Sequence, residues 1–322
     1  MIRRTLLAAS LLGLSLEAAH AQAPAWPDRP LRIVVPYAPG GGVDSFTRPL
    51  AAQLQAQLGQ SVLVDNRAGA GGTIGVLNAA RSAPDGYTLL SGGVHQPMAE
   101  ALYPQRGYRI DADFVPIAIT AVVPNVLVVN PGAGLPDLRT MMERARAAPG
   151  SLNYCSSGSG TSQHIIAEMF ARETGLRMVH IPYRGTAPAM NDLLAGVCAM
   201  MFDGMGTSAA QIAGQRLRPL ALTVRTRSTL FPEIPTMAEA GGPDMDAGTW
   251  YALWAPAGTP APILARLRAE VRSALGSPVV QRVWQQQGAS LSAVSEGQLE
   301  TYVREETARW SALVTSLGLR AE

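Results

Sequence analysis

The stretch PYAPGGGVDSFTRPL, residues 36–50, decides the fold class. The apolar run LRIVVPY, residues 31–37, leads into this stretch. Within the stretch, three consecutive glycines precede an amphipathic segment. This order predicts a strand, a tight turn and a helix whose first N–H groups are exposed. Exposed N–H groups at a helix N-terminus bind anions. The stretch therefore predicts an α/β protein with an anion site at a strand-to-helix turn.

The same alternation of strands and helices runs twice along the chain. A first round follows Arg32, and a second begins at LNYCSS, residues 152–157. Such alternation is typical of parallel strands layered with helices. After the second round come one more strand, TWYALWAP, and two amphipathic helices near the C-terminus, which we expect to return to the first unit. We predict two lobes, one from residues 22–122 and 225–322 and the other from residues 123–224.

The N-terminus has the features of a secretory signal peptide. Arg3 and Arg4 precede an apolar segment from Thr5 to Leu16, and Ala19-His20-Ala21 ends it. This pattern predicts residues 1–21 as a signal peptide cleaved after Ala21, and a mature protein exported to the periplasm. The apolar segment is too short to span a bilayer, and no later segment approaches about 18 uninterrupted apolar residues, so no membrane insertion of the mature chain is expected.

The composition excludes several classes of function. All 26 basic residues are arginine, and the formal net charge is only +2. A near-neutral chain offers no electrostatic surface for nucleic acid. Without lysine, neither a P-loop nor a pyridoxal phosphate Schiff base can form. We therefore expect no cofactor and no nucleic-acid partner.

The two cysteines, Cys155 and Cys198, fall in predicted strands. If those strands are parallel neighbours, the cysteines are offset by about four residues, or roughly 13 Å. A disulfide needs Cα atoms within about 7 Å. The spacing therefore predicts two free, buried thiols.

Two further turns resemble the opening one in composition: residues 156–162, SSGSGTS, and residues 184–186, RGT. Asp44, Thr161 or Ser162, and Thr186 are predicted helix N-caps, because Asp, Ser and Thr favour that position. Whether these residues only cap helices or also contact a ligand is open from their types alone. Arg184 is equally consistent with a surface cation and with a carboxylate clamp.

Enzyme motifs are largely missing. Ser45 stands where a dinucleotide fingerprint needs glycine, and neither GxSxG nor HExxH occurs. His95, His164 and His180 lack metal-ligand spacing, which favours core or surface roles and no metal site. The alternative that remains is a secreted serine hydrolase that uses a serine of the turn Ser156–Ser162 near His164. We predict a protein that is not an enzyme.

Several motifs, in order along the mature chain, resemble one known family. The chain is similar to the Bug-type periplasmic solute-binding proteins of the tripartite tricarboxylate transporters. The motifs that carry the resemblance are WPDRPLRIVVPYAPGGGVDSFTR, VDNRAGAGGTIG, APDGYTLL, LNYCSSGSGTSQH, HIPYRGTAPAMNDLLAG, MMFDG, PEIPTMAEAG and LWAPAGTP.

The resemblance implies a two-lobed Venus-flytrap fold of the second periplasmic type, with a mixed sheet in each lobe. It also implies a monomer that captures a small carboxylate between the lobes and delivers it to a membrane transporter or a sensor protein. The ligand would be a di- or tricarboxylate, an acidic amino acid or an aromatic acid, the last suggested by Phe46 and Gly204. The implied ligand-binding residues are Tyr37, Gly41, Gly42, Asp44, His95, Ser157, Gly158, Gly160, Thr161, Ser162, Arg184, Gly185, Thr186 and Asp203.

Overall fold

The computed structural model describes residues 26–319, so the predicted signal peptide lies outside the described residues. The chain forms two five-stranded sheets. The strands are β1 (Leu31–Val35), β2 (Val62–Asn66), β3 (Thr88–Gly93), β4 (Phe114–Val123), β5 (Asn125–Val129), β6 (Asn153–Ser156), β7 (Val179–Pro182), β8 (Met200–Gly204), β9 (Arg218–Leu222) and β10 (Thr249–Pro256).

Both sheets are mixed, as predicted. The first has the order β2-β1-β3-β10-β4, with β1 parallel to β2 and β3, and β10 antiparallel to β3 and β4. The second has the order β7-β6-β8-β5-β9, with β6 parallel to β7 and β8, and β5 antiparallel to β8 and β9. Central strands such as β10 are buried along their whole length, because helices cover both faces.

Within residues 26–319, the chain passes between the sheets twice. The first crossing is a single residue, Pro124, between β4 and β5, and the second lies between β9 and β10. Asn125 connects the two crossings: its amide donates to the carbonyl of Ala247 (3.0 Å) and accepts from the hydroxyl of Thr249 (2.9 Å). Its carbonyl also accepts from the main-chain N–H of Thr223 (2.9 Å). The two crossings are therefore joined at one buried side chain.

Eleven α-helices accompany the strands in residues 26–319. Several of them connect successive strands, so their N-termini point toward the carboxyl ends of the strands. The helices are α1 (Gly42–Leu58), α2 (Thr73–Ala80), α3 (His95–Leu102), α4 (Ile110–Asp113), α5 (Leu138–Ala147), α6 (Ser162–Thr174), α7 (Thr186–Leu194), α8 (Met205–Ala213), α9 (Ala261–Leu275), α10 (Pro278–Gln286) and α11 (Leu299–Ser316).

The prediction of free thiols is wrong, because Cys155 and Cys198 form a disulfide with Cα atoms 5.9 Å apart. The predicted offset assumed that Cys198 continues strand β8, which instead begins at Met200. The main-chain N–H groups of Val197 and Cys198 both donate to the carbonyl of Asp192 in α7. This keeps the segment against the end of α7 and brings Cys198 next to Cys155.

Within residues 26–319, no helix combines the length and the apolar character needed to cross a bilayer. The same residues contain no group of three or more His, Cys, Asp or Glu side chains placed to hold a metal ion.

Candidate functional site

A small cavity lies between the two sheets, at the carboxyl ends of their parallel strands. Ligands of open α/β sheets bind at such ends. The centre of a water molecule can move within about 20 Å³ of this cavity, which leaves room for roughly one water. The first sheet and its helices contribute Tyr37, Gly41, Gly42, Val43, His95, Thr249 and Tyr251, and the second contributes Ser157, Ser162, Gln163, Thr186, Asp203, Gly204 and Thr207.

The structure brings eight of the fourteen predicted site residues into this lining: Tyr37, Gly41, Gly42, His95, Ser157, Ser162, Thr186 and Asp203. The remaining six lie outside the lining but within the turns that form it, and they are Asp44, Gly158, Gly160, Thr161, Arg184 and Gly185. Their positions show how each turn is built.

Helix α1 brings its N-terminus to the cavity through two glycines. A Cβ atom on Gly42 would collide with the hydroxyl of Tyr251, and one on Gly41 would lie 3.5 Å from Thr186 of the opposite lobe. Since the first N–H groups of a helix have no intrahelical partner, they can donate to a ligand that lies at this end. The glycines therefore allow close approach of the main chain to the cavity.

Asp44 is not the helix N-cap, a position that Gly41 occupies. Asp44 is the third residue of α1, and its carboxylate reaches back to accept from the N–H of Gly40 (2.9 Å). It also accepts from Arg48 (2.8 and 2.9 Å) and from Asn66 (2.9 Å). Burial alone raises the pKa of Asp44, but the hydrogen bonds from Arg48, Gly40 and Asn66 outweigh it and lower the pKa. Asp44 thus holds the glycine turn in place from outside the cavity.

The second wall is the turn before α6. Thr161 stands at the N-cap position, as predicted, but its hydroxyl donates to the carbonyl of Gly158 (2.7 Å) and not to the helix. Gly158 and Gly160 have φ values of 131° and 81°, which side chains other than glycine rarely adopt. The N–H of Gly160 donates to Nδ1 of His164 (3.1 Å). The turn is therefore held mainly by its own side chains and by His164 of α6.

His95 connects the two lobes across the cavity. Its Nδ1 accepts from the N–H of Ser162, the first residue of α6, at 3.1 Å. Burial lowers the pKa of His95 to about 4, so the ring is neutral at neutral pH. A neutral imidazole that accepts at Nδ1 carries its proton on Nε2. His95 therefore has one N–H left to donate.

Gln163 and Asp203 form the floor of the cavity on the side of the second lobe. The side chain of Gln163 accepts from the N–H of Ser157 (2.5 Å) and donates to Asp203 (2.7 Å) and Thr186 (3.3 Å). The other carboxylate oxygen of Asp203 accepts from the hydroxyls of Thr207 (2.5 Å) and Ser208 (2.6 Å). These bonds fix the three second-lobe turns relative to one another.

Thr186 is not an N-cap either, because α7 begins at Thr186 itself and Gly185 precedes it as the cap. Gly185 has a φ of 133°, and a Cβ atom there would lie 2.9 Å from Ala38 of the first lobe. Arg184 is exposed and does not line the cavity. Its position is that of a surface cation and not of a carboxylate clamp.

Phe46 also lies outside the cavity lining. Its ring packs on Tyr251 and Trp284, and a Cβ atom on Gly206 of α8 would lie 2.7 Å from it. Phe46 therefore belongs to the contact between α1 and the second lobe, so it gives no support to an aromatic ligand.

The structure contains one serine–histidine pair in the predicted turn. Ser156 Oγ lies 2.6 Å from Nε2 of His180, but Ser156 is fully buried and is not part of the cavity wall. Burial, together with the nearby His164, lowers the pKa of His180 to about 3, which makes it a poor general base. The geometry gives the hydrolase alternative no support.

Six lining residues are not among the predicted binding residues: Val43, Gln163, Gly204, Thr207, Thr249 and Tyr251. Gly204 and Thr207 follow the predicted strand end at Asp203, so the rule that ligands bind at strand ends would have found them. Thr249 and Tyr251 lie at the start of an antiparallel strand, which that rule does not cover.

Comparisons with known proteins show which family the chain is similar to. Residues 46–319 match the family model of the tripartite tricarboxylate transporter family receptor. The protein BugT of Bordetella pertussis is 39% identical over 305 residues, which cover 94% of each chain.

Solved structures show the same architecture. Periplasmic binding protein BugD has a TM-score of 0.88 at 32% identity and covers 92% of this chain and 100% of its own. MatC from Rhodopseudomonas palustris with bound malate has a TM-score of 0.84 at 31% identity, with 90% and 100% covered. Rpa4515 from R. palustris with adipate has a TM-score of 0.87 at 32% identity, with 92% and 100% covered.

These structures, together with the two mixed sheets, confirm the predicted periplasmic-binding-protein fold. The family and its solved members are solute-binding proteins and not enzymes. On the motifs, the fold and the extent of these matches, the chain belongs to the receptor family of the tripartite tricarboxylate transporters.

Proposed function

We propose that this protein is a periplasmic receptor that holds a small dicarboxylate between its lobes. The observation that carries the proposal is a cavity that faces the N-termini of α1 and α6, one from each lobe. No arginine is among the described residues that line it. Helix N–H groups and neutral donors such as His95 bind carboxylates without a fixed cation. Two opposed helix N-termini suit a ligand with an anionic group at each end.

Two similar structures support this ligand class. MatC holds malate and Rpa4515 holds adipate, and both ligands are dicarboxylates of different length. Tricarboxylates, acidic amino acids and aromatic acids, which the resemblance also implies, are the alternative ligands. Binding measurements will rank their affinities against those of dicarboxylates.

Binding requires the lobes to open. A cavity with room for about one water cannot admit a dicarboxylate in the described, closed arrangement. We propose that the two predicted lobes rotate about the crossings at Pro124 and between β9 and β10. A ligand that contacts both lobes then favours the closed state by its differential affinity.

We further propose export of the protein through cleavage after Ala21, and delivery of the ligand by a monomer to a membrane transporter or a sensor protein. The cleavage predicts a mature chain that starts at Gln22, which intact mass measurement of periplasmic protein will check.

A thermal-shift screen tests the function. The protein is unfolded, freed of bound metabolites, refolded and mixed with mono-, di- and tricarboxylates, acidic amino acids and aromatic acids. A ligand at 100 times its dissociation constant adds about 2.7 kcal/mol of stability. We expect dicarboxylates to give the largest rise in melting temperature, and uncharged esters of the same acids to give none. A screen in which no carboxylate raises it contradicts the proposal.

A further inference from the structure

Asp203 places a carboxylate in the wall of the cavity that we propose to bind an anion. It is 1% exposed and lies at the end of β8, next to Gly204 and Thr207, which also line the cavity. Neither Arg nor His forms an ion pair with it within residues 26–319. When two carboxylates share one site, the ionised form of at least one of them becomes unfavourable. Binding of an anionic ligand therefore makes the ionised form of Asp203 less favourable.

The carboxylate of Asp203 can be protonated without the loss of any of its hydrogen bonds. In the ionised state, Oδ1 accepts from Gln163, and Oδ2 accepts from the hydroxyls of Thr207 and Ser208. The Thr207 hydroxyl has a second acceptor, the carbonyl of Gly204, at 3.2 Å. If Oδ2 gains a proton, that proton can be donated to Oγ1 of Thr207, whose own proton turns to Gly204. The bond from Gln163 to Oδ1 is unchanged.

The other titratable groups at this cavity do not offset the charge. Tyr37, His95 of α3 and Tyr251 of β10 line the same space. Burial lowers the pKa of His95 to about 4 and raises the pKa of Tyr37 and of Tyr251, so all three are uncharged at neutral pH. Burial raises the pKa of Asp203 too, against the opposing effect of the bonds from Ser208, Thr207 and Gln163. An added anion acts in the same direction as burial.

His95 is a poorer proton acceptor than Asp203 by geometry. Its Nδ1 already accepts from the N–H of Ser162, so a proton there would break the bond that joins the lobes. Protonation of Asp203 breaks no bond.

We propose that Asp203 takes up one proton from solvent when a dicarboxylate is enclosed in the cleft, so that the ligand and a proton are bound together. The inference rests on the proposed function and adds a second, linked ligand. Proton uptake and affinity are linked reciprocally, so the association constant falls as the pH rises.

Isothermal titration calorimetry with the dicarboxylate that gives the largest thermal shift tests the proposal. Titrations at pH 7.5 in two buffers of different ionisation enthalpy count the protons bound. We expect up to one proton per ligand for the wild type. Between pH 6.5 and 8.5, where the ligand is fully ionised, its Kd should rise by up to tenfold per pH unit.

Asp203→Asn is the matched variant, because an amide has the shape of a neutral carboxyl group and retains an acceptor for Gln163 and a donor for Thr207 or Ser208. We expect it to bind with no proton uptake and with a Kd that is constant over this pH range. His95→Gln, which retains an acceptor for Ser162, should change the affinity, because His95 is a proposed donor to the ligand, but the proton uptake per bound ligand should stay that of the wild type.

The outcomes separate the two proposals. Wild-type binding with no proton uptake overturns this inference and leaves the carboxylate receptor intact. Uptake that persists in Asp203→Asn and disappears in His95→Gln assigns the proton to His95, and the inference is again wrong. If no carboxylate binds at all, the proposed function fails and this inference with it.

Discussion

Gly42 is the residue at which the candidate site tolerates least change. It is the first residue of α1, and any Cβ atom there would collide with the hydroxyl of Tyr251, itself 4% exposed. Tyr251 has little room to move, because Phe46 and His95 pack around its ring. A side chain at Gly42 must therefore enter the cavity or displace one of its walls.

We expect Gly42→Val to abolish the thermal shift that a dicarboxylate gives to the wild type. The branched side chain covers the N-terminus of α1 and fills a cavity of about 20 Å³. Gly297→Val is the control, because Gly297 has no positive φ and no atom within 4 Å of its Cβ position. An unchanged Kd in Gly42→Val, measured by calorimetry, would remove this turn from the site.

The site residues that follow parallel strands could be predicted from the sequence. The residues that hold them in place could not. Gly41 and Gly42 were found because glycines between a strand and a helix have a physical reason. Asp44 was assigned to the cap from its residue type alone, whereas its actual role depends on Arg48 and Asn66, which are near only in the fold. Gln163 looked like an ordinary helix residue, because its partners Ser157 and Asp203 come from two other elements.

At the level of elements, the start of α1 depends on Asp44. One carboxylate accepts from the turn before the helix, from the helix itself and from strand β2. Loss of this acceptor removes the partner of the Gly40 N–H and one of the two acceptors of the Asn66 amide, whose other acceptor is the carbonyl of Tyr37. The loss of hydrogen bonds to a buried carboxylate costs about 1–3 kcal/mol.

We therefore expect Asp44→Ala to lower the free energy of unfolding by about 1–3 kcal/mol, and Asp44→Asn by less, because asparagine still accepts from Gly40. Urea denaturation at pH 7 measures both. The folded-state pKa of Asp44 is lowered, so its contribution is present above about pH 4 and lost as the pH falls further. The wild type and Asp44→Ala should therefore converge in stability below that pH. A constant difference down to pH 3 would contradict this role.

The strands and the helices with a clear apolar face could be predicted, and four helices, α3, α4, α5 and α10, could not. Helix α3 begins within SGGVHQPM, where glycine and Pro97 hide its pattern, although it brings His95 to the site. Helix α5 has only four buried residues among its charges, and α10 carries a Pro at its first turn. All four missed helices are short, and tertiary packing stabilises such helices more than local preference does.

For the whole molecule, the disulfide between Cys155 and Cys198 closes a loop of 43 residues in the second lobe. A crosslink of this size stabilises by about 2–4 kcal/mol, mainly through the unfolded chain. We expect a thiol assay of the denatured, non-reduced protein to find no free thiol. Reduction should lower the urea midpoint, and the double variant Cys155→Ala/Cys198→Ala should have a low midpoint that reductant leaves unchanged. Two thiols in the untreated protein would contradict the bond.

Two buried histidines, His95 and His164, and the half-buried His180 make the stability of the whole fold depend on pH. Burial lowers the pKa of His95 and His164 to about 4, and burial with the charge of His164 lowers that of His180 to about 3. Each is below the unfolded value of 6.5, so the unfolded state binds more protons on acidification. Their contribution is complete above pH 6.5 and is lost as the pH falls below it.

The loss should approach about 1.4 kcal/mol per pH unit for each histidine. Urea titrations from pH 8 to pH 5 measure it, and His164→Gln should reduce the slope by the share of one histidine. A free energy of unfolding that is flat from pH 6.5 to pH 5 would show that these rings are accessible to protons in the folded state.

The side-chain amide of Asn125, which joins both crossings, lies at the proposed axis of rotation between the lobes. The crossing strands lie together at one side of the two sheets, whereas β2 and β7 form the opposite edges. If the lobes rotate about these crossings as proposed, the displacement grows with distance from Asn125 and is largest at those edges. Leu63 on β2 and Val179 on β7 are 58% and 48% exposed. Because these two positions lie far from the crossings, dyes attached to them are expected to report ligand binding as an optical signal.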